Sequence, residues 1–222
     1  MLFGRRTAWL ALGVGVCCLL AGGVALVTVG RPAGGVRDVG TVPLEAPARA
    51  VQPAGVNGLR ERPGASASAR AAPDRPVPVR VRIPRLHIDA SIVPVLVDRH
   101  GALGVPSNPK VTGWWSASAR PGARSGSVVI DGHVDSASRG LGAFFTLGTL
   151  RPGDRIVLVN VAGQATAYRV VARRWYAKAA LPATEVFTQA VAPRLVLVTC
   201  GGEFDRKTRN YADNVVVYAV PT

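Results

Sequence analysis

The sequence predicts an all-β domain, an antiparallel barrel or sandwich, over its C-terminal two thirds. Three observations carry that reading. Short segments alternating apolar and polar residues recur from Val77 to Val220, with turn residues between them. Glycine (25) and proline (17) are plentiful, which favours turns and strands over long helices. Helical signal is confined to a turn or two near LGAFFTLG (141–148) and ATEVFTQ (183–189).

At the amino end, residues 8–30 (AWLALGVGVCCLLAGGVALVTVG) hold no charged residue and follow Arg5 and Arg6. About 20 apolar residues span a bilayer, whereas a cleaved signal has an apolar core of roughly 7–15. Residues 1–30 are therefore expected to be a cytoplasmic stub and an uncleaved transmembrane helix. This predicts a single-pass protein of the cell membrane whose bulk is extracytoplasmic. Residues 31–76 are rich in Pro, Ala, Gly, Ser and Arg, without periodicity, and read as a disordered linker.

The domain is expected over 77–222. VPVRVRIPRLHIDASIVPVLV (77–97) alternates in two stretches broken by Pro84. GSVVID (126–131) is a short buried strand. RIVLVNV (155–161) and TAYRVVARRWY (166–176), separated by AGQA, form a predicted hairpin. RLVLVT (194–199) and NVVVYAV (214–220) are two further strands.

Net charge is +14, which suits an anionic neighbour such as lipid headgroups or an acidic polymer. No aromatic-basic pattern of a nucleic-acid fold appears, so no nucleic-acid partner is expected. The three histidines and the cysteines lack zinc-ligand spacing, and no phosphate-cradling glycine motif is present. Neither a metal nor a cofactor is expected.

Cys17 and Cys18 lie in the apolar N-terminal run, so Cys200 is the one cysteine in the rest of the chain. Outside the cell structural cysteines come in pairs, and a leftover thiol points to a reactive group. A thiol becomes a nucleophile when a base or cation stabilises its thiolate. His87 and His100 lie in a strand and a turn and read as structural or solvated. His133 follows the apolar strand in VVIDGHVDS, where Gly132 leaves room and Asp131 or Asp135 is placed to orient the ring. Folding must bring His133 to Cys200, since 67 residues separate them. The loop after the thiol supplies Arg206, Lys207, Arg209 and Asn214 as donors for a tetrahedral oxyanion.

These residues also carry a resemblance. LVLVTC resembles the TLxTC motif of sortases, and GSVVIDGHVD resembles the sortase strand that delivers its histidine. TGWWSASARPGARSGSVVIDGHVDS and LVLVTCGGEFDRKTRNYADNVVVYA together are similar to the class F sortases of actinobacteria. The resemblance covers roughly residues 77–222. It implies a closed eight-stranded β-barrel with short helices. It also implies an extracytoplasmic cysteine transpeptidase that cleaves an LPxTG-type surface-protein peptide through a thioester. The acyl group then passes to a cell-wall amine of the peptidoglycan precursor. Cys200 is implied as nucleophile, His133 as acid/base, and Thr199 as a residue that positions substrate. The family usually places an arginine at the start of the last strand. Here Arg209 is the first candidate for that role, because a forked permanent cation suits an oxyanion. Asn214, nearer the expected position, and Arg206 are the alternatives. Trp114, Trp115, Leu181, Pro182, Val186 and Phe187 are the candidates for the apolar groove that takes the peptide.

Two other functional classes stand beside this reading. An L,D-transpeptidase also uses Cys and His, but sets them close in sequence. A non-catalytic basic module would bind wall polymer through charge and survive loss of Cys200.

Overall fold

The computed structural model describes residues 37–46, 76–99 and 101–222. The predicted transmembrane segment, most of the predicted linker and His100 lie outside them. Among the described residues no helix is long and apolar enough to cross a membrane.

The strands in chain order are β1 (Val39–Gly40), β2 (Pro78–Ile83), β3 (Ile88–Val95), β4 (Thr112–Trp115), β5 (Ser127–Asp131), β6 (Asp135–Ser136), β7 (Gly140–Leu141), β8 (Arg155–Asn160), β9 (Ala165–Ala177), β10 (Arg194–Asp205) and β11 (Asn210–Pro221). One short helix, α1 (Ala183–Val186), precedes β10. Eight strands close a barrel in the order β9-β11-β10-β5-β4-β3-β2-β8, with β8 pairing back onto β9. The small β6–β7 pair stands apart.

Alternation decides the faces. Along β10, Leu195 and Leu197 join a core fed by all eight barrel strands, which is therefore the interior. Val196 and Val198 join a second cluster with Val129, Ala172, Val186, Val216 and Tyr218. That cluster draws on one side of the barrel only, and α1 covers it, so it lies outside the wall. Every residue of β5 is buried because both of its faces are covered. This explains why SVVID reads as an unbroken apolar run rather than an alternation.

Three expectations change. The barrel is not purely antiparallel, because β10 pairs with β5 and β3 with β4 in parallel. Parallel neighbours need long connections, and the 62 residues between β5 and β10 (132–193) carry four strands and α1. Strand β4 was not expected, since TGWW is four residues long and shows no alternation. Residues 37–46, read as disordered linker, run along the barrel instead. β1 pairs with Arg173 and Ala172 of β9, beyond the stretch of β9 that β8 occupies. Arg174 donates to the carbonyls of Val39 and Gly40, each at 2.7 Å. The backbone N–H of Trp175 donates to Asp38 at 2.9 Å. Gly40 has φ +72°, and a Cβ there would sit 1.8 Å from the Val171 carbonyl oxygen, so only glycine allows this approach.

Candidate active site

Cys200 lies on β10 with the parity of Val196 and Val198, so its side chain faces the outer cluster rather than the barrel interior. It is a free thiol, part-exposed. The strand is irregular just beyond it. A bulge falls between Gly201 and Phe204, and Gly202 takes φ +82°.

His133 follows β5, and that strand's end is held from β10. The N–H of Gly132 donates to the Val198 carbonyl at 3.1 Å. The Thr199 hydroxyl donates to the Gly132 carbonyl at 2.7 Å. Thr199 is thus committed to the segment carrying His133. Gly132 was read as clearing space for the imidazole, but its reason is packing: a Cβ there would meet the Phe144 ring at 2.7 Å. Nε2 of His133 lies 2.9 Å from the Pro106 carbonyl. A carbonyl can only accept, so Nε2 carries a proton and Nδ1 is the nitrogen free to act as base.

Neither flanking carboxylate orients the ring through a hydrogen bond. Asp135 accepts from the Tyr211 hydroxyl, and that bond pushes the Tyr211 pKa up to about 12. It also ties β11 to the segment that follows His133. Asp131 is buried, and neither of its oxygens has a hydrogen-bond partner. Burial pushes its pKa up to about 7; the backbone amides of Asp131 and Gly113 temper the rise without completing a hydrogen bond.

Cys200, His133, Thr199 and Asn214 line one cavity of about 680 Å³ on the outer face of the barrel. Trp115, Leu181, Phe187 and Val198 give it apolar walls, and Trp115 meets Phe187 edge to face at 5.8 Å between ring centroids. Leu103 and Val105 line it as well. Trp114 and Val186, also considered for this groove, are core instead, one inside the barrel and one in the outer cluster.

The basic candidates separate. Asn214 is the Cα partner of Cys200 across the β10–β11 pair, with its side chain on the same face. Arg209, the first candidate, is exposed at the hairpin turn with φ +53° and does not line the cavity. Arg206 borders a shallow hollow beside Glu203 and Lys207. Counting residues pointed to Asn214 and the chemistry of a forked cation put Arg209 first, both without the strand register, which sets Asn214 beside the thiol. Sequence reasoning also missed Lys178, which lines the cavity and donates to the Asn210 side chain. Its signal was its place just after the strand ending WYA and before LPATEVF, a segment already assigned to the groove. Among the described residues no group of three His, Cys, Asp or Glu is gathered to hold a metal ion.

A part-exposed thiol, an imidazole with a free Nδ1, an amide opposite the thiol and an apolar cavity form an arrangement suited to acyl transfer from an extended peptide. A family model described as the Sortase domain matches residues 81–222. Among solved structures the chain is similar to sortase A from Corynebacterium diphtheriae, a lid mutant (20% identity, 67% of this chain and 72% of that one, TM-score 0.52). It is also similar to sortase C1 of Streptococcus agalactiae in complex with MTSET (20% identity, 65% and 66% covered, TM-score 0.50). A third is sortase C-1 from Actinomyces oris (19% identity, 68% and 76% covered, TM-score 0.50). The match thus spans about two thirds to three quarters of those chains. Comparison with curated protein sequences gives no match.

Proposed function

The chain belongs to the sortase family, and from that premise we propose an extracytoplasmic cysteine transpeptidase of the class F type. In this reading it cleaves an LPxTG-like sorting signal through a thioester on Cys200 and transfers the acyl group to a cell-wall amine. Residues 8–30 tether it to the membrane as a single-pass helix. The observation that carries the proposal is the shared outer-face groove: the lone thiol and His133 come from distant segments and line one peptide-sized, apolar trough. The L,D-transpeptidase alternative falls with the family match.

The chemistry follows from the atoms. Free cysteine has a pKa of about 8.5, so only a few per cent is thiolate at neutral pH. Nδ1 of His133 takes the thiol proton while Nε2–H stays on the Pro106 carbonyl, which steadies the imidazolium. The thiolate adds to the scissile carbonyl carbon. The Asn214 amide donates to the oxyanion that forms, with the Lys178 charge nearby. The imidazolium returns its proton to the departing amine, the C–N bond breaks and the thioester remains. An incoming amine then loses a proton to Nδ1, attacks the thioester and releases the Cys200 sulfur, which is reprotonated.

The test is incubation of the chain with an LPxTG peptide and triglycine, followed by mass spectrometry. The wild type is expected to give a peptide–triglycine product, and the peptide without triglycine an adduct on Cys200. Cys200→Ala is expected to give neither; full product from that variant would overturn the proposal.

A further inference from the structure

The groove contains a polar group for which the mechanism above has no use. Asp131 is the last residue of β5 and faces the groove together with Val198 and Cys200. Its relative exposure is 5%, and neither carboxyl oxygen has a hydrogen-bond partner. A buried polar group left unpaired is rare and unfavourable in a folded protein. Neither His133, which is bonded to Pro106 through Nε2, nor Asp135, which is bonded to Tyr211, makes a hydrogen bond to Asp131.

The surroundings leave space for the carboxyl, and the nearby backbone amides of Asp131 and Gly113 favour its charge without completing a hydrogen bond to it. Its Cα partners are Gly113 on β4 and Val198 on β10. A Cβ at Gly113 would lie 2.3 Å from Asp131 Oδ1, so glycine there leaves the room this side chain occupies. Val198 stands two residues before Cys200, which puts Asp131 about 7 Å from the thiol along the strand direction. An extended peptide whose carbonyl carbon sits at the sulfur would cover the carboxyl with a neighbouring residue. Burial also keeps a large fraction of the carboxyl uncharged at neutral pH, and an uncharged carboxyl both donates and accepts, as a peptide group does.

Resting on the transpeptidase reading, we propose that Asp131 is a substrate-binding residue that takes a hydrogen bond from one N–H or hydroxyl group of the acyl-donor peptide. Occupied, the groove satisfies the carboxyl; empty, it leaves the carboxyl buried and unpaired. The residue therefore favours peptides that carry a donor at that place and disfavours those that do not.

The test pairs enzyme and substrate changes. Wild type, Asp131→Ala and Asp131→Asn are assayed with an LPxTG peptide and triglycine. The peptide is then N-methylated at each backbone amide in turn, and separately carries valine for its threonine. Asp131→Ala is expected to raise KM about tenfold or more with a smaller effect on kcat, since the contact is made on binding. Asp131→Asn recovers most of that loss. One modified peptide is expected to lose about tenfold in kcat/KM on the wild type and nothing further on Asp131→Ala. Melting temperature reports folding, and Asp131→Val, which fills the space without polar atoms, replaces the alanine variant if that one does not fold. An unchanged KM, or full additivity of every peptide change with the Asp131 substitution, overturns this inference alone. No product from the wild type with any such peptide overturns the transpeptidase reading and this inference with it.

Discussion

Cys200 and Asn214 face each other on neighbouring strands, so at the scale of single residues register makes Asn214 the oxyanion donor in the proposed reaction. Asn214→Ala is expected to lower kcat about 100-fold, the usual loss of one oxyanion donor, with little change in KM. Arg209→Ala is expected to stay within about twofold of wild type, since an exposed side chain at a turn has little effect. Steady-state transpeptidation of both variants checks the assignment, and the reverse ranking would return the role to Arg209. The sequence made the thiol and His133 visible because each carries its own chemical signal: a cysteine without a partner and a histidine after a buried strand. It ranked Arg209 above Asn214 on side-chain chemistry alone, because the choice needs the pairing of two strands and the bulge after Gly201. It also could not show that Nδ1 is the free nitrogen. That follows from Pro106, 27 residues away.

Among elements, α1, β5, β10 and residues 37–46 converge on Arg194. Its guanidinium donates to Ser127 Oγ and the Pro43 carbonyl, each at 2.8 Å, and to the Glu185 carbonyl. It also lies 5.2 Å from the Tyr218 ring centroid. Burial pulls its pKa down from the ordinary arginine value, so the ring and the carbonyls are what make the buried charge tolerable. Arg194→Met leaves those acceptors without a donor and is expected to cost about 3 kcal/mol. That corresponds to a fall in Tm of roughly 6–12 °C for a domain of this size. Thermal unfolding checks this, and a fall under about 2 °C would show that the clamp contributes little. The same contact explains why composition misjudged residues 37–46. Ten residues inside a Pro-, Ala-, Gly- and Arg-rich run read as linker with the rest of it until a distant arginine and the open edge of β9 hold them.

For the molecule as a whole, closure is the governing fact. β9 spans 13 residues, pairing early with β8, later with β1 and along most of its length with β11. The ring therefore leaves little open edge for another strand to join. Packing over the barrel's outer face buries Asp131, which makes global stability depend on pH. The carboxyl rises from an ordinary value of 3.8 to about 7 on folding, so the folded chain holds this proton more tightly than the unfolded chain. Stability from this group is present below about pH 4 and is lost as pH rises to about 7, a change on the order of 4 kcal/mol. His133, Cys200 and Lys178 share the groove with it. Asp131→Asn removes the dependence, so its Tm is expected to exceed that of the wild type most at pH 8 and least at pH 4. Equal Tm differences at both pH values would contradict this.

The sequence by itself determined the strand segments, the all-β class, the lone thiol and the histidine at a strand end. Each rests on local chemistry: a side-chain period of two, turn residues and the pairing habits of cysteine. Only the tertiary structure decided that the site lies on the barrel's outer face, that Asn214 rather than Arg209 meets the thiol, and that Asp131 stands unpaired in the groove. Those outcomes depend on register and on contacts between residues far apart in the chain. A shift of one residue in register turns every side chain of a strand to its other face.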